Sequence, residues 1–231
     1  MTASPHDQLI HGLAADLQPV RRLLPPLLRA LTWLAVLVAL AIGLAAFANV
    51  DAAWQRISAA PDLWLAVIGS TLTAVLAAIA AFELSLPDAP RAWAALPVPA
   101  ALLWIGASGF GCLRVWVAPA SHVAVLSEAR DCLIFIVLLS VPLSALLLIM
   151  LRRAYPLYPG LTAAIGGLAV AAAAATLLNF FHPYDAAATD LVVHVAAVAL
   201  VIAANRALGG RILAVPALER LDVTAQAVGS N

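Results

Sequence analysis

The chain has 231 residues, of which 65% are apolar (AVILMFWYC) and only 10% are charged, whereas soluble domains have about 45 to 50% apolar and about 25% charged residues. A soluble enzyme, a nucleic-acid-binding domain and a disordered scaffold are excluded, because no water-exposed surface could hide so many apolar side chains. The net charge is zero and every basic residue is an arginine, so no polybasic tail indicates a nucleic-acid partner. The composition predicts an integral membrane protein.

Six apolar runs are long enough to cross a bilayer as helices, which takes about 20 residues each. Clusters of charged residues and proline separate the runs. Each run is continuously apolar, which excludes the alternating strands of a β-barrel. The predicted fold class is therefore all-α, a polytopic protein with six transmembrane helices. The predicted spans are 30–50, 63–82, 95–117, 132–151, 161–181 and 191–208.

The arginines predict the orientation, since cytoplasmic loops retain positive charge. With both termini in the cytoplasm, nine arginines lie inside and three lie outside, and the opposite orientation reverses that bias. The outer loops are then expected near 51–62, 118–131 and 182–190. The predicted inner arginines are Arg21, Arg22, Arg29, Arg91, Arg152, Arg153, Arg206, Arg211 and Arg220, and the outer ones are Arg56, Arg114 and Arg130.

A cleaved signal peptide is the competing interpretation of the first span. The Arg21-Arg22 pair, the apolar run and Ala46-Phe47-Ala48 together imitate one. The run is longer than a usual signal-peptide core, however, and a long mixed segment precedes it. We expect the run to be a membrane anchor.

The hydropathy pattern divides the chain into three parts. Residues 1–29 form a cytoplasmic N-terminal segment, residues 30–211 the six-helix transmembrane domain, and residues 212–231 a flexible cytoplasmic tail. No catalytic or phosphate-binding motif is present, so we expect neither an enzyme nor a cofactor. The ionisable residues near the spans lie at their ends, which gives little support to the main alternative, a small polytopic transporter or a solute or redox sensor.

The N-terminal segment has the pattern of a short amphipathic helix. Ser4 is a helix cap, Pro5 suits the first helical position and Asp7 lies in the first turn. A helix is predicted from about Pro5 to Leu17, with Pro19 kinking or restarting it. Its apolar positions are spaced by three and four residues. The predicted partner-binding residues are Leu9, Ile10, Leu13, Leu17, Val20, Arg21, Arg22 and Leu24.

A helix this short is marginal in water, so we expect it to order against a second surface. One alternative is the membrane surface, on which the apolar stripe would lie flat. The other is a hydrophobic groove on a soluble partner. The acidic residues of the first turns favour the groove.

Two strings of sequence resemble a known family. They are DQLIHGLAADLQPVRRLLPPLLRALTWL at the start and RDCLIFIVLLSVPLSALLLIMLRRAYPLYPGLTAAIGGLAV through spans four and five. With them the chain resembles, over nearly its whole length, the NrsF-type family of membrane-bound anti-sigma factors, named for negative regulation of sigma F. The resemblance implies a multi-pass protein of the bacterial inner membrane that holds an extracytoplasmic-function sigma factor through its cytoplasmic segment. It also implies release of the sigma factor on stress such as oxidant or heavy metal, without direct contact to nucleic acid.

The resemblance further implies two cysteines that matter for the signal. Cys132 occupies the first position. The second falls in a His-Cys-Pro-Glu-Asp-like stretch after span five, where this chain has Phe181-His182-Pro183-Tyr184-Asp185, so His182 replaces the cysteine. This departure concerns the sensing chemistry and leaves the sequestering role untouched.

The outer half of the membrane also holds a second thiol. Cys112 lies near the outer end of span three and Cys132 opens span four, so the two could form a disulfide in an oxidising compartment; two buried, inert cysteines are the alternative. The predicted signal-sensing residues are Cys132, Cys112 and His182. A soft-metal cluster of Cys132, His182 and His194 with Asp185 or Asp190 is a further possibility, although no tight ligand motif supports it.

Overall fold

The computed structural model describes residues 6, 11–12, 14, 22–47, 49–59, 61–117, 126–181 and 188–214. Within these ranges the protein is all-helical and has no strand. The helices are α1 (Pro26–Ala45), α2 (Val50–Ala59), α3 (Pro61–Glu83), α4 (Val98–Val117), α5 (Leu126–Arg152), α6 (Pro159–Phe181) and α7 (Ala188–Ala204).

Two irregular turns extend these helices. A 3₁₀ turn, Arg91–Ala95, precedes α4, and a π turn, Asn205–Gly209, continues α7 into a final helical stretch. All helices except α2 belong to the six segments that are long and apolar enough to cross a membrane. The predicted all-α fold with six candidate spans is confirmed.

The first span begins earlier than predicted. Helix α1 starts at Pro26, which suits a first helical position because its missing N–H is not needed there. The helix ends at Ala45, five residues before the predicted boundary. Ala30 and Trp33 are fully buried, so α1 is a packed part of the bundle.

The connection predicted at 51–62 contains a helix that the apolar pattern did not indicate, because α2 occupies most of it. Asn49 caps this helix, since its Oδ1 accepts the backbone N–H of Ala52 at 3.1 Å. Ala53 and Ile57 lie one turn apart and are buried, whereas Trp54 is exposed. The segment therefore folds as a short amphipathic helix on the end of the bundle.

Helical structure also extends into the connection predicted at 118–131. Helix α5 begins at Leu126, so Cys132 lies almost two turns inside the helix rather than at its start. The apolar part of the helix begins only at Leu133. The preceding residues of the helix include Ser127, Glu128 and Arg130, so the first two turns of α5 are polar.

Helices α3 and α6 form the centre of the bundle and bury most of their residues, whereas α1 and α4 bury few. Small residues allow the close packing. A Cβ atom added to Gly69 would lie 2.7 Å from the backbone nitrogen of Trp104 in α4. Ala163 is fully buried and a Cβ atom on Gly167 would meet the Cα of Ile202 at 3.0 Å, so small residues also allow α6 to approach α7 closely.

Candidate functional site

The structure describes four positions of the predicted N-terminal helix. His6, His11, Gly12 and Ala14 are helical and exposed. The helix itself therefore stays a prediction. Six predicted partner-binding residues lie outside the described ranges: Leu9, Ile10, Leu13, Leu17, Val20 and Arg21.

Arg22–Pro25 connects this segment to the bundle without helical structure. Pro25 has an extended backbone, with φ −50° and ψ 143°, because Pro26 disfavours a helical conformation at the residue before it. The predicted stripe thus does not continue as a helix through Leu24. Leu24 is 62% exposed and Leu23 is 44% exposed, so this four-residue connector presents two leucines beside Arg22.

Two of the three predicted sensing residues, Cys112 and Cys132, lie within the described helices. Cys112 lies in α4 and Cys132 in α5, with the backbone alone described, and His182 is outside the described ranges. His194, in α7, is half-buried. Within the described residues no group of three or more His, Cys, Asp and Glu could hold a metal. The disulfide and the metal cluster stay predictions.

The described part of the bundle contains a buried arginine, Arg29, at the start of α1. Arg29 is 6% exposed. Its Nη1 donates to the Oγ of Ser85 at 3.2 Å, and its Nη2 donates to the backbone carbonyl of Met150. The guanidinium carbon also lies 5.0 Å from the centre of the Phe82 ring. Three elements, α1, α5 and the turn after α3, therefore meet at one side chain.

Helix ends explain how this positive charge is accommodated. Arg29 contacts a hydroxyl, a carbonyl and an aromatic ring within the described residues, and none of these is a carboxylate. Met150 lies in the last turn of α5. Its carbonyl would normally accept the backbone N–H of Ala154, but that N–H donates to Leu151 O at 3.0 Å instead. Ser85 is the second residue after Glu83, at which α3 ends. Arg29 thus lies at two helix C-termini, where cations are favoured, and over a ring face that also attracts them.

Trp33, one turn further along α1, is a second tie to α5. It is fully buried, and its Nε1 donates to the backbone carbonyl of Leu143 at 3.3 Å. Tryptophans near the ends of membrane spans typically form a belt at the membrane–water interface. Trp54 and Trp64 fit that description, with partly exposed rings 5.5 Å apart. Trp33 does not, because it belongs to the core.

Further contacts place several loops at the same end as Arg29. The Oγ1 of Thr162 donates to Leu84 O at 3.2 Å. The guanidinium of Arg91 lies 4.0 Å from the centre of the Tyr158 ring. A Cβ atom on Gly210 would lie 3.4 Å from Gly160. The start of α1, the ends of α3 and α5, the start of α6 and the helical end after α7 therefore share one end of the bundle, which we call the Arg29 end.

The buried charged residues give no support to a transport pathway. Among the described residues these are Arg29 and Asp62. Asp62 lies at the start of α3 and Arg29 in the first turns of α1. Both are near helix ends, whereas a substrate or ion site would be expected near the bilayer midplane.

Sequence reasoning treated Arg29 only as one cytoplasmic arginine among nine. An arginine at the edge of an apolar run ordinarily extends its head group to the interface, and no local signal separates that case from burial. The tie depends on Ser85 and Met150, which lie 56 and 121 residues away. A single sequence does not indicate such distant pairs.

The fold and these contacts define a multi-pass helical membrane protein. The family model described as NrsF, negative regulator of sigma F, matches residues 13–214, most of the chain. The chain belongs to this family, and its name implies an anti-sigma role. The family is one of regulators, which are generally not enzymes. No curated protein and no solved structure matches the chain.

Proposed function

We propose that this protein sequesters a sigma factor of the extracytoplasmic-function type at the bacterial inner membrane through residues 1–29, and releases it on stress. The observation that carries the proposal is the family match, which begins at residue 13. The match thereby includes Leu13, Leu17 and Val20 of the apolar stripe as well as the six spans. A negative regulator of sigma F requires a sigma factor as partner.

The chemistry required is binding alone. A groove on the sigma factor that accepts an amphipathic helix would bury the apolar stripe, at about 1.5 to 3 kcal/mol for each fully buried leucine. The exposed connector Arg22–Pro25, with Leu23 and Leu24, supports the proposal because it leaves apolar side chains available next to the segment. Arg21 and Arg22 would add contacts to acidic groups at the rim of the groove.

The first test changes the stripe in the full-length protein. Replacing Leu13 and Leu17 together by aspartate should weaken retention of the sigma factor on membranes by about 100-fold or more, because about 3 kcal/mol or more of apolar burial is lost. The measurement is a titration of labelled sigma factor against protein-containing membrane vesicles, with a reporter gene as the cellular readout.

The matched control is Ala14→Asp with Gln18→Asp. This pair adds the same charge with the same spacing, one residue along the helix and so on another face. It should leave retention within about threefold of the unchanged protein. Equal loss of retention in both pairs would contradict the stripe as the binding surface.

The release step is proposed to involve the thiol of Cys132. An oxidant or a thiol-binding metal would change the packing of α5 against its neighbours, and the N-terminal segment would let the sigma factor go. Cys132→Ser should remove most of the induction of sigma-dependent transcription by cadmium or peroxide, with retention in unstressed cells unchanged. His182→Cys should increase the response if this position is the second sensing group.

Cys112→Ser separates two versions of this step. A Cys112–Cys132 disulfide requires both thiols, so both variants would lose induction equally. A site built from Cys132 and His182 would leave Cys112→Ser responsive. Full induction in Cys132→Ser, at normal protein abundance, would remove the thiol from the mechanism.

A further inference from the structure

Two side chains of α1 are bonded to two backbone carbonyls of α5. Arg29 and Trp33 are four residues apart and lie on one face of α1. Their acceptors, Met150 O and Leu143 O, are seven residues apart and lie on one face of α5. The donors are separated by about 6 Å along α1 and the acceptors by about 10.5 Å along α5. The long arginine side chain spans the difference.

These bonds depend on where α5 lies rather than on which side chains it carries. Backbone carbonyls remain whatever residue occupies Leu143 or Met150, but a shift or rotation of the helix moves them away from their donors. Leu143 directly follows Pro142, which lies inside α5. A proline in a helix interior removes one backbone hydrogen bond and kinks the helix. The two acceptors therefore belong to the part of α5 between this proline and the Arg29 end.

The N-terminal segment cannot move far from the start of α1. Only the connector Arg22–Pro25 separates it from α1, and four residues span at most about 14 Å. A displacement of the first turn of α1 therefore displaces the segment as well.

We propose that Arg29 and Trp33 are positioning residues that tie the exit of the N-terminal segment to the inner half of α5, so that the position of α5 sets how the apolar stripe is presented to the sigma factor. This inference rests on the proposed function and adds the residues through which the transmembrane bundle controls it. The charge of Arg29 is held by the ends of α3 and α5, through the Ser85 hydroxyl and the Met150 carbonyl; a movement of α5 would separate these groups, so release needs no change in the segment itself.

The test uses the full-length protein in lipid nanodiscs and a titration with labelled sigma factor. Arg29→Gln should weaken binding at least tenfold, and Trp33→Phe, which keeps an aromatic ring but loses the donor, about threefold. Arg152→Gln is the matched control, because it removes the same charge from an exposed position at the end of α5. It should stay within about twofold of the unchanged protein.

Gly69→Val controls for a general loss of stability. It strains the packing of α3 against α4 about 24 Å from Ser85 along the helix. Hydrogen–deuterium exchange of residues 26–33 is the second measurement. It should rise in Arg29→Gln and Trp33→Phe and stay unchanged in Arg152→Gln and Gly69→Val.

The inference would be overturned if Arg29→Gln and Trp33→Phe bind the sigma factor as tightly as the unchanged protein although hydrogen–deuterium exchange at 26–33 is faster. Helix α1 would then move without altering how the apolar stripe is presented to the sigma factor. Equal weakening by Gly69→Val at the same melting temperature would overturn it too. The proposed function fails separately, when the unchanged protein does not bind sigma factor or when Leu13→Asp with Leu17→Asp binds it normally. Arg29→Lys should restore part of the affinity, since one donor group still reaches the Met150 carbonyl.

Discussion

Helices α6 and α1 are both apolar and of similar length, 23 and 20 residues, but they are attached to the bundle in different ways. Helix α6 is buried on all sides along its alanine run, Ala171–Ala175. Helix α1 buries only Arg29, Ala30 and Trp33. Leu34, Leu37 and Leu40 are only partly buried against the core, and the opposite face of α1 is exposed, as at Val38 and Ile42, which are 56% and 68% exposed.

The difference follows from the bilayer as solvent. Lipid chains are as apolar as leucine, so helices associate in a membrane through close packing and hydrogen bonds rather than through the hydrophobic effect. Helix α6 uses close packing, because alanine lets neighbouring backbones approach from every direction. Helix α1 instead adds two hydrogen-bonding side chains in adjacent turns, Arg29 and Trp33, to a face of partly buried leucines that pack against the core.

The largest loss of stability that tests this comparison is expected for a substitution at Trp33. Trp33→Ala should lower the free energy of unfolding by about 3 to 5 kcal/mol, because it leaves a cavity and removes the hydrogen bond to the Leu143 carbonyl. Unfolding in mixed micelles with increasing SDS measures it. The matched variant is Leu31→Ala, two residues away and half-exposed, for which we expect about 0.5 kcal/mol or less. Similar losses for both would mean that α1 is not held by its buried face.

The next largest loss of stability is expected when the contact between α3 and α4 is overpacked. Gly69→Val should cost about 1 to 3 kcal/mol, because its Cβ would meet the backbone of Trp104 and neither helix can yield without shifting. Gly106→Val, on α4, is the control, since a Cβ there meets nothing within 4 Å. Thermal unfolding in detergent compares the two. A well-tolerated Gly69→Val would show that α3 and α4 are not in close contact.

The smallest loss of stability is expected at a hydrogen bond between the two central helices, α6 and α3. The hydroxyl of Thr176 donates to the Oγ of Ser70 at 2.9 Å, between α6 and α3. Thr176→Val should cost about 0.6 kcal/mol, as interhelical hydrogen bonds in membranes typically do. Thr71→Val removes a hydroxyl that bonds to Val67 O of its own helix. A double-mutant cycle of Thr176 with Ser70 isolates the pair, and zero coupling would contradict the contact.

Most of the fold followed from hydropathy, because spanning a bilayer requires a long apolar run and leaves few alternatives. All six candidate spans overlap the predicted ones. The errors occurred where a helix is polar or amphipathic. Helix α2 and the first two turns of α5 carry Asp51, Glu128 and Arg130, so a search for apolar runs passes over them.

The candidate sites were less predictable. The apolar stripe is a local pattern and could be proposed from spacing alone, as could the positions of Cys112 and Cys132. The burial of Arg29 could not, since it depends on the ends of two helices far away in the sequence. The burial of Trp33 could not be predicted for the same reason, since its acceptor, Leu143 O, lies 110 residues away.

The alanine run of α6 has a consequence for registry. A helix whose surface is methyl groups in every direction has no preferred rotational setting, because a turn by one residue, about 100°, exchanges one methyl for another. The angle and depth of α6 must then be set by its few distinctive positions. Thr162 bonds to Leu84 O, Gly167 admits α7, and Thr176 bonds to Ser70. Together with Gly166, at which a Cβ atom would meet the Leu147 side chain at 2.6 Å, and the buried Val170, these residues rather than the alanines set the rotation of α6 relative to its neighbours.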